Sequence, residues 1–249
     1  MNEKLILVGA SGHGGVAADI ARLMGYTDIA FLDDDPSATA CKGYPVLGPV
    51  KEAGNYPQAD FLVAIGACAT RERVQTSLME QGLHVVSLIH PGAILAKDAI
   101  IGTGTMVAAG AVIATGARLG EGCIVNTGAT VDHDDQIGSY VHVSVGAHLA
   151  GAVTVGNRTW IGIGAVISNN LSICADTYLG AGAVVVKNIT EPGTYIGVPA
   201  RLMIKEKVMK NTAVRGGGDR NLTPSFINNT ILGTFCPHNH LLDERRLFA

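Results

Sequence analysis

The stretch Val125-Asn126-Thr127-Gly128-Ala129-Thr130-Val131-Asp132-His133-Asp134-Asp135-Gln136-Ile137 puts an aliphatic residue at every sixth position. Followed outward, the period holds from Ile89 to Val185: seventeen consecutive sixth positions are all Ile, Leu or Val. The residue four later is usually small, as at Ala93, Ala99, Thr105, Ala111, Ala117, Ala129 and Ala147. Glycine often follows the aliphatic residue, as at Gly102, Gly120, Gly138, Gly156, Gly162 and Gly180. Each hexad then reads as one short strand and a corner, and three hexads make a coil of eighteen residues. The aliphatic side chain fills the prism, the small residue lets the corner close, and coils stack about 4.8 Å apart through main-chain hydrogen bonds. This is the pattern of a parallel β-helix of nearly six coils. Hexapeptide helices are left-handed, against the usual right-handed crossover. A solenoid can be purely structural, so function rests on particular side chains rather than on the fold.

Composition narrows the classes. The chain has 249 residues, a net charge of −3 and only 16% charged residues. That balance leaves no basic footprint for nucleic acid and no basic membrane face. No apolar run approaches the roughly 20 residues needed to span a bilayer. The run Leu5-Ile6-Leu7-Val8 is too short for a secretory leader and leads straight into a glycine turn. The five cysteines are odd in number and scattered, which fits reduced thiols in a cytoplasmic protein.

Ahead of the repeat, residues 1–87 read as a small α/β unit with Rossmann-like organisation. Strands are expected at Lys4 to Val8, Ile29 to Leu32, Phe61 to Ile65 and near Val85-Val86, and helices follow Gly15 and span Arg71 to Gln81. The first strand ends in Gly9-Ala10-Ser11-Gly12-His13-Gly14-Gly15, and Asp33-Asp34-Asp35 closes the second. Strand, glycine turn, helix and a later acid form the layout of a nucleotide-binding βαβ unit. The glycine spacing is not G-x-G-x-x-G, so what survives is a helix N-terminus able to hold a phosphate. The carboxylates could take ribose or sugar hydroxyls, whereas Asp35 reads as a solvated turn. The solenoid is assigned to residues 88–205, closed by Ile196-Gly197-Val198-Pro199-Ala200-Arg201 and a short capping helix from Leu202 to Lys210. Residues 206–249 read as a flexible tail, and Cys236, His238 and His240 within it as incidental rather than a metal site.

Three histidines fall within one coil's length: His133, His142 and His148. His133 is flanked by acids, and Asp135 takes a register held elsewhere by a small residue. A carboxylate beside an imidazole can fix its tautomer and make it a better base. A surface histidine in an acidic corner is the plain alternative; general base is the reading favoured for His133, and the plain one for His148.

The motifs Gly9-Ala10-Ser11-Gly12-His13-Gly14, Phe31-Leu32-Asp33-Asp34, Ala64-Ile65-Gly66, His133-Asp134, His142-Val143-Ser144-Val145-Gly146-Ala147 and Gly197-Val198-Pro199-Ala200 carry a resemblance. Over residues 1–205 the chain resembles the sugar-nucleotide acetyltransferases that join a Rossmann-like unit to a left-handed β-helix. Among these it is most similar to the bacillosamine-pathway members, which N-acetylate a UDP-linked 4-amino-4,6-dideoxy sugar with acetyl-CoA. The resemblance implies His133 as general base with Asp134 beside it. It implies Ser11, Gly12, His13, Asp33, Asp34 and Gly66 as contacts of the sugar nucleotide, and His142, Gly151, Ile163 and Ala181 as contacts of the acyl donor. Two departures stand out: Asp134 where relatives often carry Glu, and Ala181 where they can carry Gly.

Coil arithmetic bears on the assembly. Gly151 lies eighteen residues after His133, one coil on, and Ile163 and Ala181 are likewise eighteen apart. That second column is twelve residues out of phase with His133, so it lies on another corner of the prism. A ligand touching both is best held between neighbouring subunits of a closed ring, and the family's homotrimer fits. The expected reaction is direct attack of the sugar amine on acetyl-CoA, without metal and without an acyl-cysteine. O-acetylation of a sugar or sialic acid is the main alternative, and a non-catalytic hexapeptide protein is the lesser one.

Overall fold

The computed structural model describes residues 3–203. Lys4–Val8 forms β1, Gly12–Leu23 α1, Asp28–Leu32 β2, Ala40–Cys41 β3, Tyr44–Pro45 β4, Asp60–Val63 β5, Cys68–Glu80 α2 and His84–Val85 β6. The main sheet runs in the order β2-β1-β5-β6, all parallel, with Val8 opposite Leu32 on one side and Val63 on the other. An unbroken apolar run suits a strand covered on both faces. Leu5, Leu7 and Phe31 pack with α1, while Ile6, Val8 and Phe61 pack with Leu78 of α2. The N-terminal strands and helices expected from the sequence lie where it put them, within four residues at each end.

The solenoid begins at Leu88 and has three faces. Face one is built from Leu88–Ile89, Met106–Val107, Ile124–Val125, His142–Val143, Trp160–Ile161 and Thr177–Leu179. Face two runs from Ile94–Leu95 through Thr130–Val131 and His148–Leu149 to Val184–Val185, and face three from Ile100–Ile101 to Ser172–Ile173. Partners are eighteen residues apart, as Met106 with Leu88 and Ile124. The second residue of each pair points inward, so Val107, Val125, Val131, Val143, Leu149, Ile161 and Ile167 form one buried column set. Full burial of each such side chain is worth about 1.5–3 kcal/mol. Each corner turns through a residue in the left-handed region at six-residue intervals, from Gly104 to Gly182. Most are glycine; Asp134, Tyr140, Ala152, Arg158, Asn170 and Asp176 are not.

At its C-terminal end Gly193–Ile196 adds to face one, and Arg201–Leu202 folds back antiparallel on it. This corrects the expected capping helix at its start: Leu202 pairs with Tyr195, because an exposed strand edge is satisfied by another strand. The rest of that segment, the tail, and Cys236, His238 and His240 lie outside the described residues. Among the described residues, no helix is long and apolar enough to cross a membrane.

The α/β unit sits on the outside of face one. Leu88, Met106 and Ile124, the outward residues of its first three strands, are buried with Leu5, Leu7, Ile20 and Phe31 in a shared core. Beside this core Arg71 of α2 is completely buried. Its Nε donates to Gly122 O (2.6 Å), Nη1 to Ile65 O (2.8 Å) and Gly66 O (2.7 Å), and Nη2 to Tyr140 O (2.8 Å). One guanidinium thus joins the turn after β5 to two coils of the solenoid.

Replacing Arg71 by Met would leave several buried carbonyls without a donor. The expected loss is at least about 2 kcal/mol of unfolding free energy in a denaturant titration. Arg73→Met, at an exposed position on the same helix, serves as the control and should change stability by about 0.5 kcal/mol or less. Equal midpoints for the two variants would remove Arg71 from the joint.

Candidate active site

The structure sorts the candidate residues into three groups. The first lies where the α/β unit meets face one and contains Ser11, Gly12, His13, Gly66 and His142. Ser11 is the N-cap residue of α1, exposed and with no side-chain cap bond, and the first turn of α1 carries no acid. Its neighbour Gly12 borders open space. Gly14, by contrast, is a packing glycine: a Cβ there would collide with Gly9 O, because α1 starts hard against the end of β1. His13 and His142 face each other with ring centroids 6.0 Å apart, one from each part of the chain. Among the described residues, nothing sits at hydrogen-bond geometry to His13 Nε2 or His142 Nδ1. Burial first, and the nearby Arg71 charge second, bring His13 down to about 4 and His142 to about 3. Both rings are therefore neutral near pH 7, and each can donate from one nitrogen and accept at the other.

Asp33 and Asp34 lie near this group but are occupied. Asp33 accepts the Ala10 amide (2.6 Å) and the Asp35 amide (2.8 Å), pinning the glycine turn to the end of β2. Asp34 accepts the Val50 amide at 2.9 Å. Their visible work is to shape the loops around the turn.

The second group is at the corner between faces two and three. His133 is exposed, and its Nδ1 lies 3.0 Å from Asp134 Oδ2. Its main-chain N–H donates to Asp132 Oδ1 at 2.7 Å. Asp134 sits in the left-handed region (φ 62°), a conformation that Asp tolerates better than most residues. Hydrogen bonding to Asp134 is the main cause that raises His133 above its ordinary value. The ring lies directly over Gly151, where any Cβ would collide with Nε2 and its neighbours. Asp135, the other flanking acid, turns inward and is buried within the prism.

The third group is the corner between faces one and two. Ile163 is 61% exposed, Ala181 is also exposed, and Val145, one coil earlier in the same register, is 43% exposed. An apolar strip of this kind suits an extended ligand. Within one chain it is separated from His133 by the whole of face two.

Three residues beside the first group carry no signal that the sequence pattern alone assigns to a site. Arg71 and Gln75 occupy buried positions on α2 where its apolar period lapses, which was the available signal. Trp160, the only tryptophan, stands on the outside of face one, 4.1 Å from the His142 ring and stacked on Tyr178 at 5.8 Å. The buried thiols are poor nucleophiles: burial pushes Cys68 up and Cys123 to about 11.

Comparison with known proteins identifies the family. Residues 4–78 match the PglD N-terminal domain. A curated UDP-N-acetylbacillosamine N-acetyltransferase from Bacillus subtilis is 37% identical over 112 residues, 43% of this chain and 52% of that protein, so the match spans about half of the relative's length. The acetyltransferase domain of PglB from Neisseria gonorrhoeae, solved with acetyl coenzyme A, is 39% identical with a TM-score of 0.78, covering 82% of this chain and 100% of that one. PerB from Caulobacter crescentus, solved with CoA and GDP-perosamine, is 33% identical with a TM-score of 0.76, covering 80% and 97%. A shared α/β unit, a shared solenoid and identity at this level over nearly the whole of both solved structures place the chain in the hexapeptide-repeat, left-handed β-helix family of sugar-nucleotide acetyltransferases.

Proposed function

We propose that this chain transfers the acetyl group of acetyl-CoA to the 4-amino group of a UDP-linked 4-amino-4,6-dideoxy sugar, in the cytoplasm and at sites between the subunits of a homotrimer. The observation that carries the reading is His133: an exposed imidazole, tied through Nδ1 to Asp134, over a glycine that leaves Nε2 accessible. The free amine attacks the thioester carbonyl, and Nε2 takes the proton that the nitrogen sheds. The C–S bond breaks and the proton passes to the departing CoA sulfur, so an amide and a free thiol result. Such a base is worth about 10²–10⁴ in rate. Neutral His13 and His142 supply donors and acceptors to orient the ligands, and the Val145, Ile163 and Ala181 strip would carry the donor's chain. Because this strip and His133 lie on different corners, His133 of one subunit would serve the strip of the next. Similarity to proteins whose names specify N-acetylation favours the amine over a hydroxyl as acceptor.

His133→Ala should lower kcat by at least about a hundredfold and leave acetyl-CoA binding and the far-UV spectrum nearly unchanged. The assay is acetyl-CoA consumption against UDP- and GDP-linked 4-amino sugars, CMP-sialic acid and free sialic acid. Turnover on the sialic acids alone would establish the O-acetyl alternative instead.

Activity should rise with pH through the titration of His133, since only the neutral ring accepts a proton. Asp134 holds that titration above the ordinary histidine value, so Asp134→Asn should move the rising limb to lower pH while reducing kcat. His13 and His142 should add no limb between about pH 5 and 8, because both are already neutral there. An unmoved limb in Asp134→Asn would show that another group sets it.

Mixing two inactive variants examines the shared site. Chains carrying His133→Ala and chains carrying Ala181→Trp, co-expressed or refolded together, should regain a substantial part of the wild-type rate. Interfaces that combine an intact His133 with an intact Ala181 would then be working. Fully exchanged mixtures that remain inactive would place both columns in one subunit's site.

A further inference from the structure

Asp135 is a completely buried carboxyl in a prism otherwise lined by aliphatic side chains, Cys and Thr, and the chemistry above does not use it. Its register is held by Ala99 and Ala117 in the two preceding coils and by Val153 in the next. Its two oxygens are spent on main-chain amides that have other partners elsewhere. On this face of the solenoid the amides of Ala96, Ala114, Ala150 and Ser168 each donate to a carbonyl one coil on, at 2.9–3.0 Å. The matching amide of Asp132 donates instead to Asp135 Oδ2 at 3.0 Å. Similarly, the amides of Ala99 and Ala117 close their own corners on Ala96 O and Ala114 O, at 3.2 and 3.3 Å. The matching amide of Val153 is drawn to Asp135 Oδ1 at 2.7 Å. The ladder records the consequence. Val112–Ile113 aligns both of its residues with Thr130–Val131, and His148–Leu149 aligns both with Val166–Ile167. Between these, Thr130–Val131 and His148–Leu149 stay in register only through Thr130 and His148. One residue pair, Val131 with Leu149, thus drops out of the ladder between the coil that carries His133 and the coil that carries Gly151, while the Ala152 amide still donates to His133 O at 2.9 Å.

We propose that Asp135 is a positioning residue for His133: its carboxyl replaces two main-chain hydrogen bonds at this corner and holds the turn so that the imidazole lies over Gly151. The inference rests on His133 being the base. The groups facing Asp135 are Asp132 and His133 of its own turn and the Val153 amide of the next coil. Burial pushes its carboxyl up to about 7. A carboxyl raised on folding contributes most at low pH, and that contribution is lost as pH climbs from the ordinary carboxylate range through about 7. At alkaline pH the buried charge therefore weighs against the fold, which is the mark of a residue kept for the site rather than for stability.

The test is Asp135→Ala, which places at this register the residue that two neighbouring coils already accommodate. At pH 8 its Tm should equal or exceed that of the unaltered protein. Its kcat should fall at least about tenfold, because small misplacement of a base is costly, while KM for both substrates stays within about twofold. Asp135→Asn keeps one acceptor oxygen and should recover part of the lost kcat. A kcat within about twofold of the unaltered enzyme overturns the proposal. So does a lowered Tm with kcat and both KM values moving together, which would make Asp135 a structural clip. If the unaltered protein acetylates no amino sugar, the proposed function fails on its own terms, and a crystal structure of Asp135→Ala decides this point separately. The Asp132 amide bonded to Leu149 O and the His133 ring displaced from Gly151 supports the proposal; an unmoved ring overturns it.

Discussion

The whole molecule depends on the main-chain ladder that joins residue i to residue i+18. Once coils stack in that register, each coil must close on itself in eighteen residues, with an aliphatic residue inward on every face and a left-handed residue at every corner. The interior then has no room for chemistry, and the only positions free to vary are the outward strand residues and the corners. Every candidate residue of the solenoid occupies one or the other: His142 and Trp160 are outward on face one, while His133, Asp134, Gly151, Ile163 and Ala181 are at corners. Asp135 departs from this division by bringing a carboxyl to an inward register, and one ladder pair drops out beside it.

The period made the solenoid legible because it is a covalent regularity: a six-residue repeat needs no knowledge of what packs against what. The same arithmetic put His133 over Gly151, and Ile163 and Ala181 on another corner. Partnership was harder to read. The small-residue register of Asp135 was legible in the sequence, but which main-chain amides its inward carboxyl would hold was not. Nor did the sequence show that residue 134 takes the left-handed turn that brings its carboxylate to the His133 ring. Arg71 was hidden for a related reason: apart from Cys68 Sγ at 3.8 Å its partners are carbonyls, which carry no side-chain signature. The carboxylates of Asp33 and Asp34, expected as ligand contacts, each accept main-chain amides as well, a second use that the sequence pattern did not carry.

Electrostatics divide the three histidines between two environments. His13 and His142 are withdrawn from water beside a buried guanidinium, so their charged forms are disfavoured. His133 stands in water among acids, so its charged form is favoured. A proton acceptor needs the second setting and a neutral hydrogen-bonding surface needs the first. Keeping the neutral pair on face one beside the α/β unit and His133 at a corner of the solenoid lets one short chain hold both without either perturbing the other.

The guanidinium of Arg71 also has a mechanical meaning. With bonds to the turn after β5 and to two successive coils, and a common core beside it, the α/β unit has no hinge against the solenoid. At the proposed site, ligands would then meet surfaces already in place, and capture would not be coupled to a closing motion within the chain. Any gating would fall to exposed side chains. Tuning the proposed site for a bulkier sugar would then be a matter of carving those surfaces rather than loosening a joint.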